Sequence, residues 1–192
     1  GYMIDTTFSS TIDPGKKSYD NLVFDSTDLK NANITTLADI EFVIYAFDND
    51  TWDDVFVSDI INIQTSSANG FEFTYDDSGT EIFNNESVKI IYQGMRDDPF
   101  WGFDMMFYIE NNGEKSIIVQ VESASINGFM VDPIISPTIC ANKRIVDDLT
   151  ILQSDLEDNE ITTLENVEIS FRIIDGDSWN TLYTTEPFTI EF

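Results

Sequence analysis

Apolar and polar residues alternate with a period of two along most of the chain, the mark of strands that bury one face. Phe71-Glu72-Phe73-Thr74-Tyr75 alternates and runs into the turn-forming Asp76-Asp77-Ser78-Gly79. Val88-Lys89-Ile90-Ile91-Tyr92 predicts a strand that ends at Gly94. Residues 105–109 and 117–121 flank Asn111-Asn112-Gly113-Glu114. Asn-Gly tolerates the positive φ angles of a tight hairpin, so the pattern predicts one there. Further strands are expected at 129–131, 148–152, 167–174 and 187–192. Ser154-Asp155-Leu156-Glu157-Asp158 opens on an N-cap residue, as does Thr27-Asp28-Leu29, but no helical stripe follows either. Each reads as a single turn that carries the chain from one sheet to another. Seven or eight strands in about 120 residues predict an all-β antiparallel sandwich.

The alternation itself recurs. Residues 1–65 align with 128–192 at a constant offset of 127 without a gap, and 20 of the 65 pairs are identical. Asp48-Asn49-Asp50-Thr51-Trp52, for example, lies on Asp175-Gly176-Asp177-Ser178-Trp179. The order is therefore X–Y–X′, with Y between the two related segments. Residues 1–65 read as the second half of a repeat unit, with four strands. Residues 66–70 read as a small, polar linker, and 71–192 as a complete unit. The inward positions expected in 1–65 are Phe8, Leu22, Phe24, Phe42, Ile44, Phe47, Ile61 and Ile63. They lack a Y of their own, so they are expected either to dock on the outside of the complete unit or to form a homodimer through residues 1–65.

Charge narrows the function. The 192 residues carry 36 Asp and Glu against 9 Lys and Arg, a formal charge of −27, and no histidine. Triads and metal sites that need imidazole are excluded. Repulsion from phosphate argues against nucleic acid as a partner. No apolar run approaches the ~18 residues of a membrane helix, so this segment is not expected to insert into a membrane. At 42% hydrophobic residues the chain is rich enough in core formers to fold despite its charge. Cys140 stands alone, and with no His and few cations in the chain it has little to activate it as a nucleophile.

Ile109-Glu110-Asn111-Asn112, Val119-Gln120-Val121, Ile126-Asn127-Gly128-Phe129-Met130-Val131-Asp132, Lys143 and Asp175-x-Asp177-Ser178-Trp179 together resemble a known group. It is that of the immunoglobulin-like β-sandwich modules in secreted proteins and lipoproteins of Gram-positive, largely clostridial, bacteria. The resemblance covers 66–192 as one module and 1–65 as half of another. It implies an immunoglobulin-like fold and an extracellular or cell-surface anchored setting, and it implies no catalytic residue.

Three sets of residues could carry chemistry. Asp48 and Asp50, with Asp175 and Asp177, place carboxylates two apart on a loop after a strand, where they could share calcium as the one possible cofactor. The alternative is that these Asp residues form turns and that Trp52 and Trp179 are structural, buried pins that hold the loop onto the sandwich. Phe100, Trp101 and Phe103, between Pro99 and other loop formers, could stack on a sugar ring, or they could cap the core. Lys16 and Lys143 recur, as do Asp5 and Asp132; surface pairing and turn hydrogen bonds account for them. Acid pairs are too frequent in this composition to mark a hydrolase, so no enzyme activity is expected. A non-catalytic binding or spacer module of a bacterial surface or secreted protein, with adhesion among its roles, is the expectation. Its partner would be an unknown protein or a glycan. A carbohydrate-binding module and a calcium-stabilised adhesion repeat are the alternatives.

Overall fold

A computed structural model of the chain describes residues 1–98 and 102–192, with the side chains of Asp97 and Asp98 set aside. The chain forms two compact units: Asp5–Asp76, and Gly1–Ile4 together with Asp77–Phe192.

The first unit holds three two-stranded antiparallel sheets. β1 (Thr6–Thr7) pairs with β2 (Val23–Phe24). After α1 (Ser26–Asn31) come β3 (Asp39–Phe42), β4 (Tyr45–Phe47), β5 (Asp54–Val57) and β6 (Ile61–Gln64), of which β3 pairs with β6 and β4 with β5. Asp25, not Thr27, caps α1: its carboxylate accepts the backbone N–H of Thr27 at 2.7 Å and of Asp28 at 3.2 Å. Residues 71–75, expected as a strand, form none and belong to this unit. Their alternate aromatics touch one another instead, Phe71 against Phe73 and Phe73 against Tyr75.

The second unit is an antiparallel β-sandwich of the immunoglobulin-like kind. β7 (Thr80–Asn84), β8 (Val88–Asp98) and β9 (Gly102–Asn111) lead to β10 (Ile117–Ile126) in the opposite sheet. β11 (Phe129–Met130) and β12 (Thr138–Ile139) are short partners of β10. β13 (Lys143–Leu152) returns to the first sheet, α2 (Gln153–Asp158) crosses again, and β14 (Asn166–Asp175), β15 (Thr181–Thr184) and β16 (Phe188–Glu191) complete the second. One sheet has the order β13-β9-β8-β7; the other centres on β10-β14, with β15 and β16 on the far side of β14. Pairing β9 with β13 and β10 with β14 interleaves the halves of the chain as a Greek key.

Alternation decides which side chains meet in the middle. Met105, Phe107 and Ile109 on β9 face Ile169, Phe171 and Ile173 on β14, all at 0% exposure, with Phe107 and Phe171 edge-to-face at 5.2 Å. Each such side chain contributes roughly 1.5–3 kcal/mol by leaving water. Leu152 caps α2 without a side-chain hydrogen bond, and burial of Leu156 (4% exposed) holds that turn to the core instead. Two sequence readings change. Asn111–Glu114 is no hairpin, because β9 and β10 lie in different sheets. Nor does β8 stop at Gly94: the register shifts between Tyr92 and Gly94, whose φ of 139° absorbs a bulge, and pairing with β9 continues.

The 127-residue offset holds element by element. α1 and α2, β5 and β15, and β6 and β16 begin 127 residues apart. Tyr45 faces Val57 as Arg172 faces Thr184, and both ladders shift register at the next pair but one. Left-handed φ angles coincide at Asn33 and Glu160, Gly15 and Asn142, and Trp52 and Trp179. Burial does not follow. Phe171, Ile174 and Ile139 are at most 4% exposed, whereas their counterparts Ile44, Phe47 and Ile12 are 37%, 49% and 55% exposed.

Candidate functional site

The loop after β14 is built on one carboxylate. Asp175 Oδ1 accepts the backbone N–H of Asp177 at 3.1 Å and of Ser178 at 2.8 Å, and the Ser178 hydroxyl at 3.0 Å. Its Oδ2 accepts Lys115 Nζ at 3.2 Å. The Ser178 amide, then Lys115 and the Ser178 hydroxyl, hold the Asp175 carboxyl down at about 2. Asp48 does the same after β4: the N–H groups of Asp50 and Thr51 each donate to it at 2.9 Å, and the Thr51 amide chiefly lowers its pKa. In both loops the Trp amide donates to the first Asp carbonyl at 2.9 Å. The Asp residues are thus turn formers.

The two tryptophans are not buried pins. Trp52 is 73% exposed and Trp179 68%, with φ of 63° and 60°. Closing the turn by a bond from the fifth residue back to the first Asp puts the Trp backbone in the left-handed region, at a cost of roughly 1–2 kcal/mol, and turns the indole outward. Trp52 lies nearly parallel to Phe47, with centroids 5.2 Å apart at 14°; the counterpart of Phe47 is Ile174, which brings no ring to the equivalent place beside Trp179. Pattern alone pointed inward because Trp follows a strand. The outward signal was the run of polar residues around it, Ser178 and Asn180, and Thr51 and Asp53.

Among the described residues no three of His, Cys, Asp and Glu stand close enough to hold a metal ion. The calcium reading expects Asp48 with Asp50, and Asp175 with Asp177, to share a cation each in its own loop; in both loops the first Asp carboxylate accepts backbone N–H groups of that loop. Of the aromatic cluster, Phe100 and Trp101 lie outside the described residues. Phe103 is half-buried and packs on the sandwich core.

No family model, curated protein or solved structure matches this chain.

Sequence reasoning missed a polar face on the outer side of the β13-β9-β8 sheet. Arg96 donates to Asp104 Oδ2 through Nε at 3.2 Å and Nη2 at 3.1 Å, and also to Asp148. Asp104, 3% exposed, accepts the Thr150 hydroxyl at 2.8 Å. Farther along, Arg144 pairs with Glu110 at 3.0 Å, and Tyr108 donates to Glu110 at 3.1 Å. Burial pushes the Tyr108 hydroxyl well above the usual tyrosine range. Each group joins neighbouring strands, so both clusters clamp the sheet. The signal available was parity: 104, 108 and 110 have the opposite parity to the core residues 105, 107 and 109.

Asn111 was missed too. It is fully buried, and its Nδ2 donates to the carbonyls of Lys115 (2.7 Å), Ile139 (2.9 Å) and Cys140 (3.2 Å), while its Oδ1 accepts the Gly113 amide at 2.9 Å. Cys140 itself is exposed. The recurring Asp5 and Asp132 act through their amides, which donate to Asp28 at 2.8 Å and Asp155 at 3.4 Å.

Proposed function

We propose that this chain is a non-catalytic, extracellular binding module of a bacterial surface or secreted protein, and that its ligand is a glycan met by exposed tryptophan. One observation carries the reading. Two loops 127 residues apart, each braced by an Asp that binds the following amides, hold an indole outward in the same strained conformation. Strain repeated in two loops that leave the indole exposed supports a ligand-facing role. Aromatic faces stack on sugar rings, and Trp52 over Phe47 offers a flat, rigid one. The resemblance to secreted immunoglobulin-like modules supports the setting.

A glycan array probed with the intact chain tests it. Binding abolished by Trp179→Ala with Trp52→Ala, while the melting temperature is kept, supports the reading. Binding unchanged in the double variant refutes it.

A further inference from the structure

The two tryptophan loops share a backbone but not a charge. Around Trp179 the acids are few and partly neutralised: Asp175 is paired with Lys115 at 3.2 Å, and the two residues after the indole are Asn180 and Thr181. Around Trp52 the same two places hold Asp53 and Asp54. With Asp48 and Asp50 that makes four carboxylates in seven residues, and no Lys or Arg occurs between Lys30 and Lys89. Asp50, Asp53 and Asp54 are exposed, and among the described residues no ion pair engages any of the four.

Strand register decides where these charges stand. Asp54 is the cross-strand partner of Phe47, and residues directly opposite one another carry their side chains on one face of the ribbon. Phe47 is also the ring against which Trp52 lies, 5.2 Å away at 14°. The indole, 73% exposed, is thus backed by a phenyl ring, with Asp54 beside that ring across the strands and Asp53 next to the indole along the chain. In the second loop the equivalent cross-strand pair is Ile174 and Thr181, so ring and acid are exchanged together.

Stacking on a neutral sugar needs only a flat aromatic face. A π face also draws a cation held within about 6 Å of its centre, and neighbouring carboxylates strengthen that attraction while they repel an anion. The carboxylates at 53 and 54 are surplus to stacking, and they belong to one loop alone.

We propose that the Trp52 loop selects a cationic glycan, one whose sugars carry free, protonated amines, while the Trp179 loop accepts neutral sugar. The amine meets the indole face and pairs with Asp53 and Asp54. Acidic sugars are repelled from Trp52 by the same carboxylates. The inference rests on the glycan reading of these loops and adds the charge of the sugar that each one takes.

The test titrates the full chain with soluble glucosamine oligomers at about pH 6, where the carboxylates are ionised and the amines protonated. Calorimetry compares the free-amine form with its fully N-acetylated counterpart. The free-amine form should bind roughly 5- to 10-fold more tightly. Asp53→Asn with Asp54→Thr, which installs the residues the second loop already carries, should remove that preference and leave the N-acetylated form bound as before. Trp52→Ala should remove it too, whereas Trp179→Ala should keep it. Equal affinity for the two forms, or a preference that survives Asp53→Asn with Asp54→Thr, overturns the proposal. The glycan reading still stands in that case if Trp52→Ala with Trp179→Ala abolishes binding of both. A chain of formal charge −27 attracts any cation, so an oligolysine of equal charge is the control. If it binds as tightly, the site answers to charge and not to sugar, and the proposal fails. Should the free-amine oligomer not bind at all, the proposal is refuted whatever a glycan array returns.

Discussion

Asn111 offers the sharpest quantitative test of the sandwich, because a single amide there satisfies the groups that join two sheets and a loop. Asn111→Ala removes the donor to the carbonyls of Lys115 and Ile139 and the acceptor of the Gly113 amide. Each buried polar group so orphaned costs about 1–3 kcal/mol, and water entering the vacated space offsets part, which leaves a loss of roughly 3 kcal/mol. At about 4 °C per kcal/mol for a unit of this size, the melting temperature should fall by roughly 12 °C. Asn111→Asp separates hydrogen bonding from packing. It keeps the shape but aims a carboxylate at three carbonyl oxygens in a fully buried site, so near neutral pH it should be worse than Ala. The folded state then holds the proton more tightly than the unfolded chain, whose Asp titrates near 3.9. Stability of Asn111→Asp should rise as the pH is lowered from neutrality toward that value, and thermal unfolding by circular dichroism at several pH values reads it. A loss under about 1 kcal/mol for Ala, or no recovery of Asp at low pH, would refute the reasoning.

Other expectations follow from burial and geometry. Phe171→Ala should cost about 3–5 kcal/mol in the sandwich transition, whereas Ile44→Ala, at the same repeat position but 37% exposed, should leave that transition unmoved; equal shifts in denaturant midpoint would count against the contrast. Gly102 has φ of 128° and an added Cβ would collide with the Ile151 carbonyl, so Gly102→Ala should lower stability by roughly 1–3 kcal/mol or more. Asp175 has its pKa depressed to about 2, so the stability it gives is complete above the unfolded value near 3.9 and is lost as pH falls through about 2. Acid titration of unfolding should therefore flatten over that window in Asp175→Asn. In a Trp101→Phe background, acrylamide should quench the remaining indole emission almost as freely as it quenches tryptophan in solution, and a protected fraction would contradict the exposure of Trp52 and Trp179.

Much of the sandwich was legible because its strands bury one face. The alternation across 117–121 and 167–174 places Val119, Ile169, Phe171 and Ile173 in the core, where they are found. The crossing turn at α2 was legible from the run Ser154–Asp158, although Leu152 and not Ser154 caps it. Connections were harder. Asn-Asn-Gly suits a hairpin, yet the Asn111 side chain is spent on bonds reaching as far as Cys140, a long-range choice that no local pattern records. Residues 71–75 alternate well but pair with no strand, since alternation describes what a strand would bury and not whether a neighbour exists. The loop tryptophans were misplaced because a left-handed backbone decides where the ring points, and hydrophobicity does not.

The contrast between the two copies of the second half separates two kinds of information. Asx turns, bulges and left-handed residues recur in 5–65 even where the apolar side chains are exposed, because they depend on contacts within the segment: the Asp48 turn, the bulge after Ala46, the left-handed Trp52. Those interactions are short in sequence and close early, so they can form before any long-range partner arrives. Burial is different in kind. Phe171 is inaccessible only because Phe107, 64 residues away, lies across it, and Ile44 has the same backbone without that cover. A segment with its local geometry already set would lose little further backbone freedom on meeting a matching half, and its gain would come from covering apolar surface. One sequence pattern thus serves in the same chain as half of a closed sandwich and, in residues 5–65, as a segment with the same local geometry whose apolar side chains stay exposed.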